Sequence, residues 1–285
     1  GGTINIITRS TAPRSRSATI RAGKGSFGKN EQSGEISAAN EHLGVALRFN
    51  DQSADNYREN NRFKQQNIDG ELRLSGNTGH IALKFGLENQ SLRLPGARTR
   101  DQLASDPRGA STPRDFSTRD GTRLGVVSTI DLGFAEISAD AFLRDSVRTS
   151  SQIDYFFGGL FDVYLDTRSK VRSLSPRIRI PFLVHGFRNS FTFGVDAEDW
   201  DYTSLRAASL ERLDTPTARI LADQSNRAAY LQNHTELGDN TKLTLGARQQ
   251  RTRMSAVDRV NPAAYASGGK VMSPRAWEIA LRHQL

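Results

Sequence analysis

The 285-residue sequence contains no cysteine and no long apolar run. Without cysteine the chain can form neither a disulfide framework nor a thiolate metal site. No stretch approaches the roughly 18 consecutive apolar residues of a transmembrane helix, which excludes a helical membrane protein. Apolar residues are also scarce: they make up 36% of the chain, against the roughly 45–50% of an average globular domain.

The polar composition does not indicate disorder, because the chain has 14 Phe and 6 Tyr and a regular pattern. Its net charge of +8 raises the possibility of nucleic-acid binding. The 39 Lys and Arg are dispersed among 31 acids, however, and no recognition motif gathers them. We therefore expect no nucleic-acid partner, and lipopolysaccharide phosphates are the better anionic partner.

Large apolar residues alternate with polar or small ones along most of the chain. The alternation is clear from Leu43 to Phe49, from Ile68 to Leu74 and from Ile81 to Leu87. This period of two is the signal of a strand with one apolar face. Many of these strands reach the length of about 9–11 residues that a tilted strand needs to cross a bilayer.

Short turns and long loops alternate between the strands. Gly-, Asn- or Asp-rich turns occur near Glu41, Asn77, Leu132, Gly186 and Asp239, at intervals of 36, 55, 54 and 53 residues. Longer polar connections lie at 93–122, 204–222 and 257–270. This layout predicts an all-β fold, an antiparallel up-and-down transmembrane β-barrel, with about twelve strands present. Pro176 and Pro181 predict a bulge or an early end in the eighth strand.

The first nine residues read GGTINIITR, a run that resembles the last strand of the plug domain in TonB-dependent outer-membrane receptors of the siderophore-uptake type. The resemblance implies that residues 1–12 are the C-terminal end of a plug and residues 13–285 the N-terminal part of a barrel. The twelve strands would then belong to a barrel of 22 strands. The last residues, His283-Gln284-Leu285, lack the terminal aromatic of bacterial barrels, so we expect the barrel to continue beyond them.

The resemblance also implies a function. The protein would import a bulky, scarce nutrient across the bacterial outer membrane, with a ferric siderophore as the leading candidate, driven by the TonB complex through an N-terminal region absent from this chain. A passive outer-membrane porin is the alternative. We expect no enzymatic activity, no cofactor and no protein-bound metal, because the five histidines are scattered and the iron would arrive inside its chelator.

Two loops carry candidate ligand contacts. In the first, the connection at 93–122, five arginines could pair with anionic siderophore oxygens, namely Arg98, Arg100, Arg108, Arg114 and Arg119. A solvated loop or contact with lipopolysaccharide phosphates would explain the same charges. The second carries Tyr155, Phe156 and Phe157, which could stack on an aromatic ligand or belong to an interfacial aromatic girdle.

Overall fold

The computed structural model describes residues 14–156, 159–264 and 269–284. The strands are β1 Arg16–Lys24, β2 Asn30–Ala39, β3 Leu43–Ala54, β4 Phe63–Gly76, β5 Gly79–Arg93, β6 Phe116–Asp131, β7 Glu136–Phe156, β8 Gly159–Val184, β9 Phe187–Ala207, β10 Ala218–Glu236, β11 Thr241–Asp258, β12 Lys270–Met272 and β13 Arg275–His283. One short helix, α1 Arg100–Ser105, and two 3-10 turns, Leu210–Arg212 and Pro262–Ala264, lie in the loops. The plug-like residues 1–9 lie outside the described residues, so the proposed plug boundary stays a prediction.

The described strands form a single antiparallel sheet in which each strand from β1 to β12 pairs with the next one along the chain. The last two strands share one neighbour: β12 pairs with β11 at Thr252–Met254, and β13 pairs with it at Thr241–Gln249. This confirms the predicted all-β, antiparallel up-and-down fold. The predicted twelfth strand is two strands, interrupted where the amide of Gln250 donates to the carbonyl of Pro274 at 3.0 Å.

Every tight turn predicted from the sequence joins two paired strands at the same edge of the sheet, the turn edge. The two-residue turn between β8 and β9 has positive φ at both positions, 49° at His185 and 81° at Gly186. A turn of this kind matches the right-handed twist of the flanking strands. At the first turn, the side-chain oxygen of Asn40 accepts from the amides of His42 at 2.8 Å and Leu43 at 2.7 Å. The long connections lie at the opposite edge, the loop edge.

The two faces of the sheet differ in polarity, because alternate residues of each strand point to opposite sides. Near the turn edge one face carries large apolar side chains that remain exposed, for example Leu72 at 43% and Leu83 at 42%. The other face carries polar and charged side chains. A soluble protein rarely exposes a continuous apolar surface of this size. An apolar face of this kind is suited to contact with lipid, and in transmembrane β-barrels the opposite, polar face lines the lumen.

Glycines and aromatic rings face each other across the strands. Gly70 is the register partner of Phe85, and a Cβ on Gly70 would overlap the Phe85 ring. The same arrangement joins Gly34 to Phe49, Gly125 to Phe142 and Gly194 to Tyr230. The ring covers the backbone that glycine leaves bare, which helps to fix the register of the pair.

The eighth strand is longer and more regular than its prolines predict. β8 continues through both Pro176 and Pro181 to Val184. From Tyr164 to Val184 its pairing with β9 is missing only between Leu174 and Arg177, and the register on the two sides of that gap is the same. The prediction of a bulge or an early end was wrong, because the ladder tolerates the lost amide donor without a shift.

No helix among the described residues is both long and apolar enough to cross a membrane.

Candidate functional site

The loop between β5 and β6, residues 94–115, is a folded unit at the loop edge. It contains α1, which begins with a capping box: Thr99 Oγ1 accepts from the amide of Gln102 at 3.3 Å, and the Gln102 side chain accepts from the amide of Thr99 at 2.9 Å. These two bonds satisfy amides that a helix start would otherwise leave unpaired. The sequence alone predicted a plain loop for this segment and gave no indication of the helix.

Asn60, in the loop between β3 and β4, holds the base of this longer loop together. Its side-chain amide lies within hydrogen-bond distance of three backbone carbonyls, those of Leu94 at 3.0 Å, Thr112 at 2.8 Å and Asp115 at 3.0 Å. Its φ of 47° is in the left-handed region, which asparagine tolerates better than most residues. One side chain thus joins the two ends of the loop.

Arg58 holds two further segments of the same loop together. Its guanidinium donates to the carbonyl of Gly96 at 2.7 Å, to that of Pro95 at 3.1 Å and to that of Gly109 at 3.1 Å. A guanidinium presents five donors in a fixed plane, so it can satisfy several carbonyls at once. We call Arg58 and Asn60 the loop clamp.

An aromatic and cationic surface lies beside the loop clamp. The Phe27 and Tyr57 rings meet edge to face with centroids 5.7 Å apart. The guanidinium of Arg108 lies 5.7 Å from the centroid of the Tyr57 ring and donates to the Tyr57 carbonyl at 3.2 Å. Phe27 is 51% exposed and Tyr57 45% exposed. An exposed ring with a cation over its face can accept another aromatic or anionic group.

The five predicted arginines fall into different environments. Arg98 points into its own loop, where its side chain is 10% exposed and donates to the carbonyl of Gln102 at 3.2 Å. Arg100 is exposed at the first position of α1. Arg114 is 84% exposed, with one long ion pair of 3.9 Å to Asp162. Arg108 belongs to the Tyr57 surface described above.

Arg119 is separate from the other four. It lies in β6 on the polar face, with its Nε 3.9 Å from a carboxylate oxygen of Glu88. The structure therefore brings Arg98, Arg100, Arg108 and Arg114 into or beside one loop and places Arg119 in the wall below it. The side chains of Tyr155 and Phe156 and the whole of Phe157 lie outside the described residues. The binding role of all these residues stays a prediction.

The polar face of β4 to β9 carries a cleft of about 500 Å³ lined in part by Asp69, Glu88, Arg119 and Arg123. Arg123 donates to Asp69 at 2.7 Å, although β5 separates their strands. The pair crosses β5 at Gly86, where a Cβ would come within 2.9 Å of the Asp69 carboxylate. Glycine at that position leaves room for the ion pair.

Glu198 is the centre of a second polar cluster on the same face. Its carboxylate accepts from the Trp200 indole at 2.6 Å and from the Asn226 amide at 3.2 Å. It also pairs with Arg144 at 3.5 Å, and the Arg144 guanidinium lies 5.9 Å from the centroid of the Trp200 ring. Trp200 therefore belongs to the polar wall and not to an outer aromatic girdle. Charges of both signs alternate across this wall.

No group of three or more His, Asp or Glu side chains suited to a metal ion occurs in the described ranges. The residues that organise the loop edge, namely the loop clamp with Tyr57 and Phe27, were not predicted from the sequence. One feature of the sequence does point to a special backbone conformation here: two consecutive asparagines, at 60 and 61, lie between arginines. Asparagine is enriched at positions where φ is positive.

No protein-family model matches this sequence, and no curated protein matches it. Solved structures of outer-membrane receptors do share its fold. The ferric citrate transporter FecA in its unliganded form superposes with a TM-score of 0.78 at 13% identity, over 95% of this chain and 42% of that one. FpvA of P. aeruginosa, solved with bound ferric pyoverdine, gives a TM-score of 0.78 at 10% identity, over 96% and 41%. The ferric-catecholate import receptor Fiu from E. coli K12 gives 0.71 at 11%, over 95% and 52%.

These similarities, together with the geometry of the sheet, classify the fold. An up-and-down antiparallel sheet with tight turns at one edge, long loops at the other and faces of opposite polarity has the architecture found in the walls of outer-membrane β-barrels. More specifically, the chain has the fold of part of a TonB-dependent siderophore receptor. It spans about half the length, or less, of the receptors it matches.

Proposed function

We propose that this chain forms part of the barrel wall and ligand-binding loops of an outer-membrane receptor that imports a ferric siderophore by TonB-dependent transport. The observation that carries the proposal is the folded loop 94–115, which the loop clamp holds in place beside the charged, polar face of the sheet. A braced loop presents its exposed side chains in a fixed geometry, which lowers the entropy that ligand binding would cost. The fold similarity to siderophore receptors supports the same proposal.

The chemistry of the loop edge favours an anionic ligand with aromatic groups. Arg100 and Arg114 expose guanidiniums that pair well with carboxylate or catecholate oxygens. The exposed rings of Phe27 and Tyr57 supply surfaces for stacking. The lumen wall below them, with its mixed charges, would contact the plug. The remaining partners of the proposal are the TonB complex and outer-membrane lipids, including lipopolysaccharide.

Uptake of radioactive iron tests the proposal. A deletion strain complemented with the native coding sequence is supplied with citrate, catecholate and hydroxamate complexes of ⁵⁵Fe. The experiment is done with and without functional TonB. We expect saturable uptake of one anionic complex that disappears without TonB. Uptake that does not saturate and does not depend on TonB would instead establish a passive porin.

Charge reversal tests the ligand-binding residues. We expect Arg100→Glu with Arg114→Glu to raise the half-saturating concentration of the siderophore about tenfold, because two cations that attract the anion become repulsive. Arg188→Glu is the matched control, since Arg188 is an exposed cation near the turn edge. An equal effect of the two changes would show that the loop arginines do not contact the ligand.

A further inference from the structure

Three neighbouring loops meet at the loop edge. We refer to residues 25–29 between β1 and β2 as the first loop, residues 55–62 between β3 and β4 as the second loop, and the loop 94–115 between β5 and β6 as the third loop. Each closes a different pair of strands, so strand pairing alone would leave the three loops separate. The second loop lies between the other two and contacts both.

The first loop holds a bulky residue in a strained backbone conformation. Ser26 to Lys29 form a turn in which the amide of Lys29 donates to the carbonyl of Ser26 at 3.3 Å. Both central residues have positive φ, 57° at Phe27 and 68° at Gly28. Glycine and asparagine favour such positions, whereas a bulky aromatic residue is rarely found there. The turn therefore needs contacts from outside the first loop to offset the strain at Phe27.

The second loop supplies those contacts. The amides of Asp55 and Asn56 both donate to the carbonyl of Phe27, at 2.9 and 3.3 Å. The Phe27 ring meets the Tyr57 ring edge to face. The Asp55 carboxylate covers the bare side of Gly28, where a Cβ would overlap it. The first loop thus keeps its strained shape because the second loop holds it.

The same segment of the second loop holds the third loop. The amide of Glu59 donates to the carbonyl of Arg108 at 2.7 Å. The Arg108 side chain in turn contacts Tyr57, since its Nε donates to the Tyr57 carbonyl and its guanidinium lies over the Tyr57 ring. All six residues of α1 are exposed, so packing against the sheet contributes little to the position of this helix. The third loop depends on the second loop for its support.

Tyr57 is the residue at which the two sets of contacts meet. Its ring centroid lies 5.7 Å from that of Phe27 in the first loop and 5.7 Å from the Arg108 guanidinium in the third. The backbone beside it is fixed as well, because Asn56 has a φ of 63° and its side chain donates to the carbonyl of Asn61 at 2.6 Å. A displacement of the Tyr57 ring therefore changes its contacts with both neighbouring loops.

We propose that the three loops open and close as one cooperative unit, in which the contacts of Tyr57 with Phe27 and Arg108 couple the first loop to the third. The strain at Phe27 favours opening of the unit, and the hydrogen bonds and ring contacts of the second loop oppose it. A group that binds the exposed rings then also stabilises α1, and a disturbance at α1 reaches the first loop with the same coupling free energy. The inference rests on the contacts among the loops and not on siderophore import.

Amide hydrogen exchange of the complete protein in detergent micelles tests the coupling in the variant Phe27→Asn. Asparagine tolerates the positive φ but removes the ring. The amide of Gly25, which donates to the carbonyl of Lys29 at 2.9 Å within the first loop, should keep or gain protection because the backbone strain is relieved. The amides of Glu59 and Ser111, which donate to carbonyls of the third loop, should lose protection about fivefold.

The reverse direction is tested by Arg108→Gln, which removes the cation over the Tyr57 ring. The amide of Asp55, which donates to the first loop, should then exchange faster by a similar factor, because coupling between two sites is reciprocal. Combining Arg108→Gln with Phe27→Asn should change exchange at Glu59 by less than the product of the two single effects, since both act through Tyr57.

Phe134→Asn is the matched control, because Phe134 is 70% exposed at the turn edge, far from the three loops. It should change exchange at Glu59 and Ser111 less than twofold. Unchanged protection of these two amides in Phe27→Asn would overturn the proposal and show that the loops open independently. So would an unchanged Asp55 amide in Arg108→Gln, or single effects that multiply in the double variant.

Discussion

Replacing Asn60 with glycine should loosen the loop 94–115 while leaving the sheet intact. Glycine removes the side-chain amide and still adopts the φ of 47° that this position requires. The amide has two protons, so it fully satisfies two of its three carbonyl partners at a time. At about 1 kcal/mol for each net hydrogen bond, the loss is about 2 kcal/mol. None of the carbonyls is left unpaired, because Leu94, Thr112 and Asp115 each accept a further hydrogen bond.

The assay is amide hydrogen exchange of the complete protein, followed at the loop. The amides of Ser111 and Thr112 report opening, since both donate to the carbonyl of Pro95, at 2.8 and 3.3 Å. A loss of about 2 kcal/mol lowers their protection about thirtyfold. Asn60→Asp should have a larger effect, because it places carboxylate oxygens against carbonyl oxygens. The control Asn61→Gly should change protection only a few-fold. Unchanged protection in the Asn60 variants would refute the idea that Asn60 holds the loop.

Three further perturbations test the sheet and its edges. Gly70→Ala should destabilise the folded protein by about 1–3 kcal/mol in urea, because the new Cβ overlaps the Phe85 ring, whereas Gly121→Ala, whose Cβ meets nothing nearer than 3.5 Å, should not. Gly186→Ala should slow refolding and lower the urea midpoint, since its φ of 81° strains any residue with a Cβ. Asp258 accepts from the amide of Arg219 at 3.0 Å, which holds the pKa of its carboxyl below the ordinary value. The stability that the ionised carboxyl of Asp258 contributes is therefore present at neutral pH and is lost as the pH falls through that lowered pKa. Amide exchange at the end of β11 should show this loss, and Asp258→Asn, which keeps an acceptor but cannot titrate, should abolish the pH dependence.

The sequence predicted the sheet well because alternation and turn chemistry are local signals. The pattern from Leu43 to Phe49 specifies a strand with one apolar face wherever it lies in the chain. The turns at Asn77 and Gly186 then fix which strands pair and in what register. The strand lengths were less predictable. β6 begins at Phe116, several residues before its apolar pattern, because the residues that follow Phe116 are polar on both faces of the strand and give no alternation.

The loop edge was largely unpredictable, since its organisation depends on contacts between segments far apart in sequence. Arg58 binds carbonyls 37 to 51 residues away, and nothing in its own neighbourhood distinguishes it from a solvated arginine. The loop arginines were recognised by charge alone. Charge could not separate Arg98, which points into its loop, from Arg114, which is exposed.

Site-directed spin labelling tests the central claim, that one face of this sheet contacts lipid and the other lines a lumen. The chain has no cysteine, so single cysteines can be introduced one at a time along β5 from His80 to Leu87 in the complete protein reconstituted in bilayers. We expect high oxygen accessibility at Ile81, Leu83, Phe85 and Leu87 and low accessibility at the residues between them. An accessibility that does not alternate along β5, or that is higher at the even-numbered positions, would show that the apolar face does not contact lipid.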